Sequence, residues 1–324
     1  MTTSQKIIAY ITKKDQASGK ELTDQFGTIS ARAVRKQLKK LLDKGLLTKI
    51  GRPPKVYYLL AKNKVPFDIS IVDKKILKVI NDKYLYISPT GEAKYGWEGF
   101  TLWCAKTKQD PVKTASEYIA TLNKYDEFRK DDFIYGLHKM KNTFDKVFLD
   151  NLFYLDFYSI ERFGKTKLGQ MLLYAKQSQN KALIRKVVDE IKPKVLKVVQ
   201  KNKIDGVLFI PPTVKREVQF MKELENGFNL PIKTLSVVKV KTEIAVPQKT
   251  LTKIEDRIEN AKQTIIIDEA RSYKNVLLID DAVGSGSTLN ETARQLRRKG
   301  IASGKIIGLA ITGSFKGFDI ISEV

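Results

Sequence analysis

Two adjacent carboxylates followed by a small, hydroxyl-rich loop are the residues of this sequence best suited to chemistry. The apolar run 276–279 ends in Asp280 and Asp281, and residues 284–288 then read Gly-Ser-Gly-Ser-Thr. Paired carboxylates can accept hydrogen bonds from a sugar diol or hold a cation. A Gly/Ser turn at the start of a helix offers backbone N–H groups and the positive end of the helix dipole to a phosphate. The pattern therefore predicts a sugar phosphate as the ligand.

Other phosphate-binding loops fit this stretch less well. The G-x-x-x-x-G-K-[ST] loop requires a lysine that is absent from residues 284–288, and a dinucleotide-binding G-x-G-x-x-G pattern is absent as well. The remaining alternative is an ordinary strand–loop–helix unit with a solvated acidic corner. The combination of an acidic pair and a hydroxyl-rich loop favours ligand binding.

The spacing resembles the 5-phosphoribosyl-1-pyrophosphate (PRPP) signature of the type I phosphoribosyltransferases, in which an apolar strand, an acidic pair, a Thr/Ser-rich loop and a helix follow one another. The resemblance implies that Asp280 and Asp281 are catalytic residues that hold the ribose hydroxyls, and that the loop cradles the 5′-phosphate. Gly284 stands where the family often has Thr or Ser. The PRPP-binding residues implied in this way are Asp280, Asp281, Gly284, Ser285, Gly286, Ser287 and Thr288.

Residues ahead of the signature resemble the ComF-type phosphoribosyltransferases, and the likeness covers about residues 200–324. Ile-Pro-Pro at 210–212 comes shortly before Lys215 and Arg216. The resemblance implies that the 211–216 loop contacts pyrophosphate and that Lys215 and Arg216 are catalytic residues that stabilise it as it departs. A solvated basic turn is the alternative for these two residues.

A polar stretch at 239–260 would, by the same resemblance, form a flap that closes over the site, with Gln248 and Arg257 contributing to it. Mg²⁺ is the implied cofactor, held mainly by PRPP oxygens and not by a metal site of the protein alone. The cysteine-rich zinc element of many ComF proteins is missing from this chain.

Strands alternating with helices would position these residues, and the last part of the chain, 181–324, has that pattern. Apolar strand-like runs lie at 205–210, 232–238, 264–267, 276–279 and 305–312, and a helix with a break at Pro193 lies at 181–203. This alternation predicts a doubly wound parallel sheet with its ligand at the carboxyl ends of the strands. The predicted fold class is multidomain α/β, with residues 181–324 as a phosphoribosyltransferase-like domain of the type I kind.

Residues 1–62 are predicted to form a separate basic domain. Three helix-like stretches, the last at 31–44, precede strand-like runs at 46–50 and 56–61. This order resembles a winged helix-turn-helix, which implies that the third helix enters the major groove of DNA and that the wing touches the backbone or minor groove. The implied DNA-binding residues are Arg32, Arg35, Lys36 and Lys39 on the helix and Arg52 and Lys55 on the wing. A winged helix that binds proteins instead is the alternative.

The middle of the chain, 63–180, is predicted to be a mainly helical connecting region. Trp97, Phe100 and Trp103 lie close together in sequence and are interpreted as local core and not as a platform for stacking bases. Aromatic residues at 148–158 recur at helical spacing and are also interpreted as core. The region is expected to act either as a spacer or as a dimerisation module that would make the protein a homodimer.

The composition restricts the class of protein. The 324 residues include 59 Lys and Arg against 36 Asp and Glu, a net charge of +23. Residues 1–62 carry 14 basic and 4 acidic residues, a net +10, which points to a polyanionic partner for this part. A single Cys excludes an internal disulfide, and with a single His it argues against a zinc site. No apolar run approaches the roughly 20 residues of a membrane span and no signal peptide is visible, so a cytoplasmic protein without a membrane partner is expected.

These expectations support two functions. The first is a DNA-binding phosphoribosyltransferase that uses PRPP and releases pyrophosphate, with an acceptor that the sequence does not identify. The second is a transcriptional regulator whose transferase-like domain only senses PRPP, similar to the Gram-positive purine repressor, which also pairs a winged helix with this fold. Both need the acidic pair, whereas only the enzyme needs the 211–216 loop and the flap.

Overall fold

The chain folds into two compact units, Met1–Ile71 and Val72–Val324. The computed structural model describes residues 2–61, 72–214, 216–240, 243–244 and 246–314. Across these ranges, every helix is too short or too polar to cross a lipid bilayer.

Within its described residues, the first unit consists of three helices and three strands. Its elements are α1 (Thr3–Lys14), β1 (Ala17–Ser18), α2 (Gly19–Gln25), α3 (Ala31–Asp43), β2 (Leu47–Arg52) and β3 (Lys55–Leu60). Local sequence explains where two of the helices begin. Ser18 and Glu21 form a reciprocal capping box at α2, and the Ser30 hydroxyl accepts a hydrogen bond from the backbone N–H of Ala33 at α3. The strands form one antiparallel sheet in the order β1-β3-β2.

The core of the first unit is a cluster of aliphatic side chains from all three helices. Ile7 of α1 and Leu22 of α2 are fully buried and pack with Val34, Leu38 and Leu41 of α3. The spacing of the three α3 residues places them on one side of the helix, so the basic residues of α3 lie on the opposite side.

The second unit is a mixed α/β fold. Its first elements are α4 (Lys74–Lys83), β4 (Leu85–Ile87), β5 (Ala93–Tyr95), α5 (Gly96–Lys106), α6 (Pro111–Asp126), β6 (Arg129–Lys130), β7 (Phe133–Tyr135), α7 (Leu137–Lys141), β8 (Asn151–Phe157), β9 (Ser159–Ile160) and β10 (Gly164–Lys165). The remaining elements are α8 (Lys167–Ser178), α9 (Lys181–Lys201), β11 (Gly206–Phe209), α10 (Phe220–Phe228), β12 (Lys233–Thr234), β13 (Val237–Lys239), α11 (Ile254–Thr264), β14 (Ile265–Ile267), β15 (Val276–Val283), α12 (Ser287–Arg298) and β16 (Ile306–Gly313).

A seven-stranded sheet in the order β12-β11-β15-β16-β8-β7-β6 runs through the second unit. The strands from β12 to β8 in this order are parallel, and β7 and β6 continue the sheet in antiparallel fashion. At its centre, Leu278 of β15 lies between Leu208 of β11 and Gly308 of β16. These strands are buried on both faces, which explains their nearly continuous apolar sequence.

Helices cover both faces of this sheet. On one face, Leu172 of α8 and Val187 of α9 share a core with Leu277 of β15. Gly308 pairs with Leu278, and neighbouring strand residues point to opposite faces, so Gly308 faces away from the side on which Leu277 lies. A Cβ built on Gly308 would lie 3.5 Å from a methyl group of Leu289, so α12 covers this second face. The prediction of an α/β unit with a mostly parallel sheet is therefore confirmed, and the carboxyl ends of its parallel strands meet at one edge.

The middle of the chain departs most from the prediction. The sequence predicts a mainly helical connecting region at 63–180, yet β6, β7 and β8 belong to the main sheet, and the compact unit extends from residue 72 onward. The sheet joins segments on both sides of residue 180, so the structure does not separate two units there. The boundary predicted at residue 62 lies outside the described residues.

The aromatic stretch 148–158 contains one of the strands that the sequence pattern does not distinguish from a helix. It forms strand β8 and not a helix, and its side chains from Leu152 to Leu155 are all buried. An interior strand with both faces covered has a continuous apolar sequence, and a short run of that kind has no periodicity that distinguishes a strand from a helix.

The tryptophan-rich stretch is core, as predicted. Trp97 stacks on the fully buried Phe100, with 5.7 Å between the ring centroids. Trp103 packs against Phe163 with a centroid separation of 5.6 Å. These rings pack on one another between α5 and the neighbouring segments, so they act as core and not as a platform for a base.

The predicted helix break at Pro193 is wrong. Helix α9 continues from Lys181 to Lys201 with Pro193 inside it. Ile191 and Val195 on either side of the proline are 1% exposed. Burial of this apolar face against the sheet offsets the backbone hydrogen bond that the proline removes.

Of the two stretches predicted as strands at 232–238 and 264–267, only part of the first enters the main sheet. The first contains β12, at the edge of that sheet, and most of β13. β13 pairs with β14 in a separate antiparallel ribbon, with Val238 opposite Ile266. Strand β13 ends at Lys239, whose side chain lines a cavity at the carboxyl ends of the parallel strands.

Candidate functional site

A cavity of about 230 Å³ gathers most of the predicted site residues of the second unit. The predicted residues that line it are Arg216, Gln248, Arg257, Asp280, Asp281, Gly284, Ser285, Gly286, Ser287 and Thr288. Lys215, the remaining predicted catalytic residue, lies outside the described residues. Lys176 and Lys239 also line the cavity. The acidic pair therefore shares one cavity with Lys176, to which no sequence motif assigns a role, and with Lys239, the first residue of the predicted flap.

Asp280 and Asp281 lie inside strand β15, which continues to Val283 and so extends beyond the predicted run 276–279. Asp280 is opposite Ala310 of the neighbouring strand β16. Although successive side chains alternate along a strand, both carboxylates border the same cavity at this strand end, and the charge of Asp281 acts on Asp280. The sheet therefore holds both acidic residues on a rigid element.

The surroundings of the Asp280 carboxyl disfavour its ionised form. Burial raises its pKa from 3.8 to about 7, and the charge of Asp281 contributes to the rise. A hydrogen bond from the Asp281 N–H to Asp280 Oδ1 at 2.8 Å and the ammonium groups of Lys176 and Lys239 act in the opposite direction. A cation that binds next to Asp280 would favour the ionised carboxylate for the same reason.

Asp281 is paired with Lys176 of α8. The Lys176 ammonium donates to Asp281 Oδ2, and the two side chains are only 16% and 20% exposed. The partners are 105 residues apart in sequence. The sequence contains no local signal for Lys176, because a contact across this separation depends on how α8 packs on the sheet.

The 284–288 loop connects β15 to the first turn of α12. Gly286 is the residue before the helix and has a φ of 82°, a left-handed conformation that favours glycine. The hydroxyls of Ser285 and Ser287 lie 3.0 Å apart. Gly286 has no side chain with which to cap α12, and the Ser285 hydroxyl accepts a long hydrogen bond of 3.4 Å from the backbone N–H of Ser287, the first residue of the helix. The first N–H groups of the helix, its dipole and the loop hydroxyls together form a site suited to a phosphate.

Arg216 connects the 211–216 loop to α8. Its guanidinium donates to the backbone carbonyl of Lys176, and its own carbonyl accepts a hydrogen bond from the side chain of Gln219. The backbone N–H of Val218 donates to Gln179 Oε1 at 2.9 Å. The end of α8 thus contacts both Asp281 and the loop predicted to bind pyrophosphate.

A hydrogen bond joins the two predicted flap residues, Gln248 and Arg257. Gln248 Nε2 donates to the Arg257 carbonyl at 2.9 Å and to Asn260 Oδ1 at 3.0 Å. Arg257 is 5% exposed, and its Nε donates to the Leu251 carbonyl at 2.8 Å. Burial lowers the pKa of its guanidinium. These contacts hold the segment from Gln248 to α11 together at the cavity.

Lys239 adds a second ammonium group beside the acidic pair. Burial lowers its pKa, while the charges of Asp280 and Asp281 act to raise it. Among the described residues, the cavity therefore combines two carboxylates with four basic side chains, which are Lys176, Arg216, Lys239 and Arg257. A ligand that carries several negative charges and hydroxyl groups fits this combination.

The acidic pair also fits a magnesium ion that is bound together with such a ligand. Mg²⁺ is usually held in proteins by one or two carboxylates and completed by water and substrate phosphate oxygens. Asp280 and Asp281 would supply the carboxylate oxygens. The ion would add positive charge beside Asp280 and would have to share Asp281 with Lys176.

The first unit carries a separate basic surface, defined by the predicted DNA-binding residues. Arg32, Arg35, Lys36, Lys39, Arg52 and Lys55 are all exposed. Arg35 Nε donates to the Ala31 carbonyl of its own helix at 3.2 Å, and Arg52 faces Lys55 across the β2–β3 hairpin. Six exposed positive charges on one helix and one hairpin tip are suited to a polyanion.

No protein-family model and no curated protein sequence matches this chain.

Proposed function

We propose that the protein is a phosphoribosyltransferase of the ComF type that binds PRPP and releases pyrophosphate, and that it binds DNA through a winged helix in its first unit. The observation that carries the proposal is the shared cavity, in which the acidic pair at a strand end adjoins the 284–288 loop and the start of α12, where Gly286 has no side chain to cap the helix. A ribose 5-phosphate needs both features at once, because its hydroxyls and its phosphate are joined by one small ring.

Each group in the cavity has a role in this proposal. Asp280 and Asp281 hold the ribose 2′- and 3′-hydroxyls and, when Mg²⁺ is bound, contribute oxygens to it. The 284–288 loop holds the 5′-phosphate. Arg216 stabilises the charge of pyrophosphate as its bond to the ribose C1 breaks and a bond from C1 to the acceptor forms. Positioning and charge stabilisation account for the catalysis, since the ribosyl centre becomes positively charged in the transition state.

The test is to incubate the protein with PRPP and Mg²⁺ and a panel of nucleobases and other nitrogen acceptors, and to measure pyrophosphate release. We expect release with at least one acceptor. The double substitution Asp280→Asn with Asp281→Asn should abolish PRPP binding in calorimetry. Undiminished binding by this variant would contradict the site assignment.

A PRPP-sensing transcriptional regulator is the second candidate, and the exposed basic surface of the first unit favours it. Such a protein would bind PRPP without releasing pyrophosphate, and PRPP would change its affinity for DNA. Tight PRPP binding with no release for any acceptor would favour the regulator over the enzyme. DNA affinity that is the same with and without PRPP would count against the regulator.

A further inference from the structure

The ammonium of Lys176 occupies the carboxylate of Asp281 that would also hold a divalent cation. The ammonium of Lys176 contacts Asp281 Oδ2, and both side chains are mostly buried. A divalent cation on the same carboxylate would place two positive charges within a few ångströms in a poorly solvated cavity, where repulsion between charges is much stronger than in water. The cation and the ammonium therefore compete for Asp281.

Lys176 can leave Asp281 without any change of the fold. Its link to Arg216 is made by its backbone carbonyl and not by its ammonium, so this link does not hold the ammonium in place. A lysine side chain is a compact charge on a flexible stem of four carbons. Arg216 lines the same cavity. A displaced ammonium would therefore remain close to the loop predicted to bind the diphosphate.

We propose that Lys176 is an exchangeable counter-ion, which neutralises Asp281 in the ligand-free protein and moves to the diphosphate group of the substrate when a divalent cation takes its place on Asp281. The identity of the diphosphate rests on the proposed function, whereas the competition at Asp281 does not. The cation alone then binds weakly, because it must first break the ion pair between Lys176 and Asp281. The cation and a sugar diphosphate bind strongly together, because the diphosphate offers the displaced ammonium a new partner.

The first experiment measures binding of Mn²⁺ alone, from the electron paramagnetic resonance signal of the free ion. We expect Lys176→Gln to bind Mn²⁺ at least about tenfold more tightly than the wild-type protein, because a like charge has been removed from the site. The glutamine amide can still donate to Asp281, which limits the loss of stability that an unpaired buried carboxylate would cause. Adding Asp281→Asn to Lys176→Gln should abolish the gain.

Lys167→Gln is the matched control. Lys167 lies at the other end of the same helix and is also ion-paired, with 3.2 Å between its Nζ and Glu190 Oε1. This substitution removes the same charge and should leave Mn²⁺ affinity unchanged. Equal gains in the two variants, or no gain in Lys176→Gln, would overturn the proposal.

The second experiment follows the Lys176 ammonium itself in the wild-type protein, so it does not depend on the folding of a variant. Its ¹⁵Nζ resonance should shift when Mg²⁺ and PRPP are added together, and an unchanged resonance at saturation would overturn the transfer to the diphosphate. In the presence of Mg²⁺, Lys176→Gln should weaken PRPP binding about tenfold, while Lys176→Arg should retain most of it. A wild-type protein that binds no PRPP would refute the proposed function, while the Mn²⁺ experiment would still decide the competition at Asp281.

Discussion

Met140 of α7 packs directly against the α-carbon of Gly286, so that a Cβ built on the glycine would lie 3.1 Å from Met140 Cε and 3.2 Å from its Sδ. Met140 is 2% exposed. The contact joins the middle of the chain to the 284–288 loop, since α7 follows β7 at the side of the main sheet. The segment before β8 therefore supports the loop that we propose to bind the 5′-phosphate.

Gly286→Ala should destabilise the protein and weaken phosphate binding. An alanine at a φ of 82° is in the left-handed region, which costs about 1–2 kcal/mol, and its methyl group would also press on Met140. We expect a loss of roughly 2–3 kcal/mol in the free energy of unfolding, measured by chemical denaturation, because both effects add. PRPP affinity should fall more than about tenfold, since the start of α12 shifts.

Gly300→Ala is the control for this substitution. Gly300 has a φ of 67°, but a Cβ there would meet nothing within 4 Å. Only the conformational cost of about 1–2 kcal/mol is then expected, with PRPP affinity unchanged. Equal losses of stability in both variants would show that the packing of Met140 on Gly286 has no energetic effect.

The acidic pair and the 284–288 loop could be predicted because their signal is local in sequence. The residues are contiguous, and each residue type has a physical reason to be there. Lys176 gives no such signal, because its approach to Asp281 follows from the packing of α8 on the sheet and joins residues 105 positions apart. Gln248 and Arg257 line the cavity, but the hydrogen bond between them depends on the turn that separates them, which the sequence pattern does not specify.

The sequence predicts an element correctly where its buried residues recur with a clear period. It does not do so where both faces of the element are buried and the apolar run is continuous. The α3 stripe of Val34, Leu38 and Leu41 has helical spacing and forms a helix at nearly the expected bounds. Strand β8 is buried on both faces, and its aromatic sequence is compatible with a helix as well. The connecting region predicted at 63–180 is not separate from the rest of the second unit, because β8 pairs with β16 and so ties the middle of the chain to the main sheet.

The pH dependence of stability should report the partly buried carboxyl of Asp280. Its pKa in the folded protein is about 7, above the value of 3.8 expected when unfolded. Its contribution to stability is therefore fully present below pH 3.8 and is lost as the pH rises through about 7, because the folded state binds the proton more tightly. We expect Asp280→Asn to gain on the order of 4 kcal/mol relative to the wild-type protein between acidic and alkaline pH. Denaturation of both proteins across this range measures the difference, and a difference that does not vary with pH would contradict the raised pKa.

The basic surface of the first unit should determine DNA affinity and its dependence on salt. Replacing Arg32, Arg35 and Lys36 by Ala should weaken binding and reduce the slope of log affinity against log salt by about 0.9 for each DNA phosphate that is no longer neutralised. Stability should change little, because the three side chains are exposed. Fluorescence anisotropy with duplex DNA at several salt concentrations gives both the affinity and the slope.

A matched charge control is available on α1. Lys6, Lys13 and Lys14 are exposed, and replacing them by Ala removes the same number of positive charges from the same unit. If α3 enters the major groove as a winged helix does, the α1 variant should keep most of the affinity and most of the salt slope. Equal effects of the two triple variants would indicate binding to overall charge and not to α3.

Asn290 of α12 should be sensitive to truncation, because both ends of its amide form hydrogen bonds with backbone groups of the segment before β8. It is 7% exposed; its Oδ1 accepts from the Phe148 N–H at 2.8 Å, and its Nδ2 donates to the Lys146 carbonyl at 3.0 Å. Asn290→Ala leaves both backbone groups without this partner near the core, so we expect a loss of about 2–3 kcal/mol in the free energy of unfolding. Asn202→Ala is the comparison, because Asn202 Nδ2 donates to the Val198 carbonyl of its own helix, at 2.9 Å, and the loss of this bond should cost under about 1 kcal/mol. Similar losses in the two variants would mean that the link between α12 and the segment before β8 contributes little, and that Met140 is held beside Gly286 by apolar packing alone.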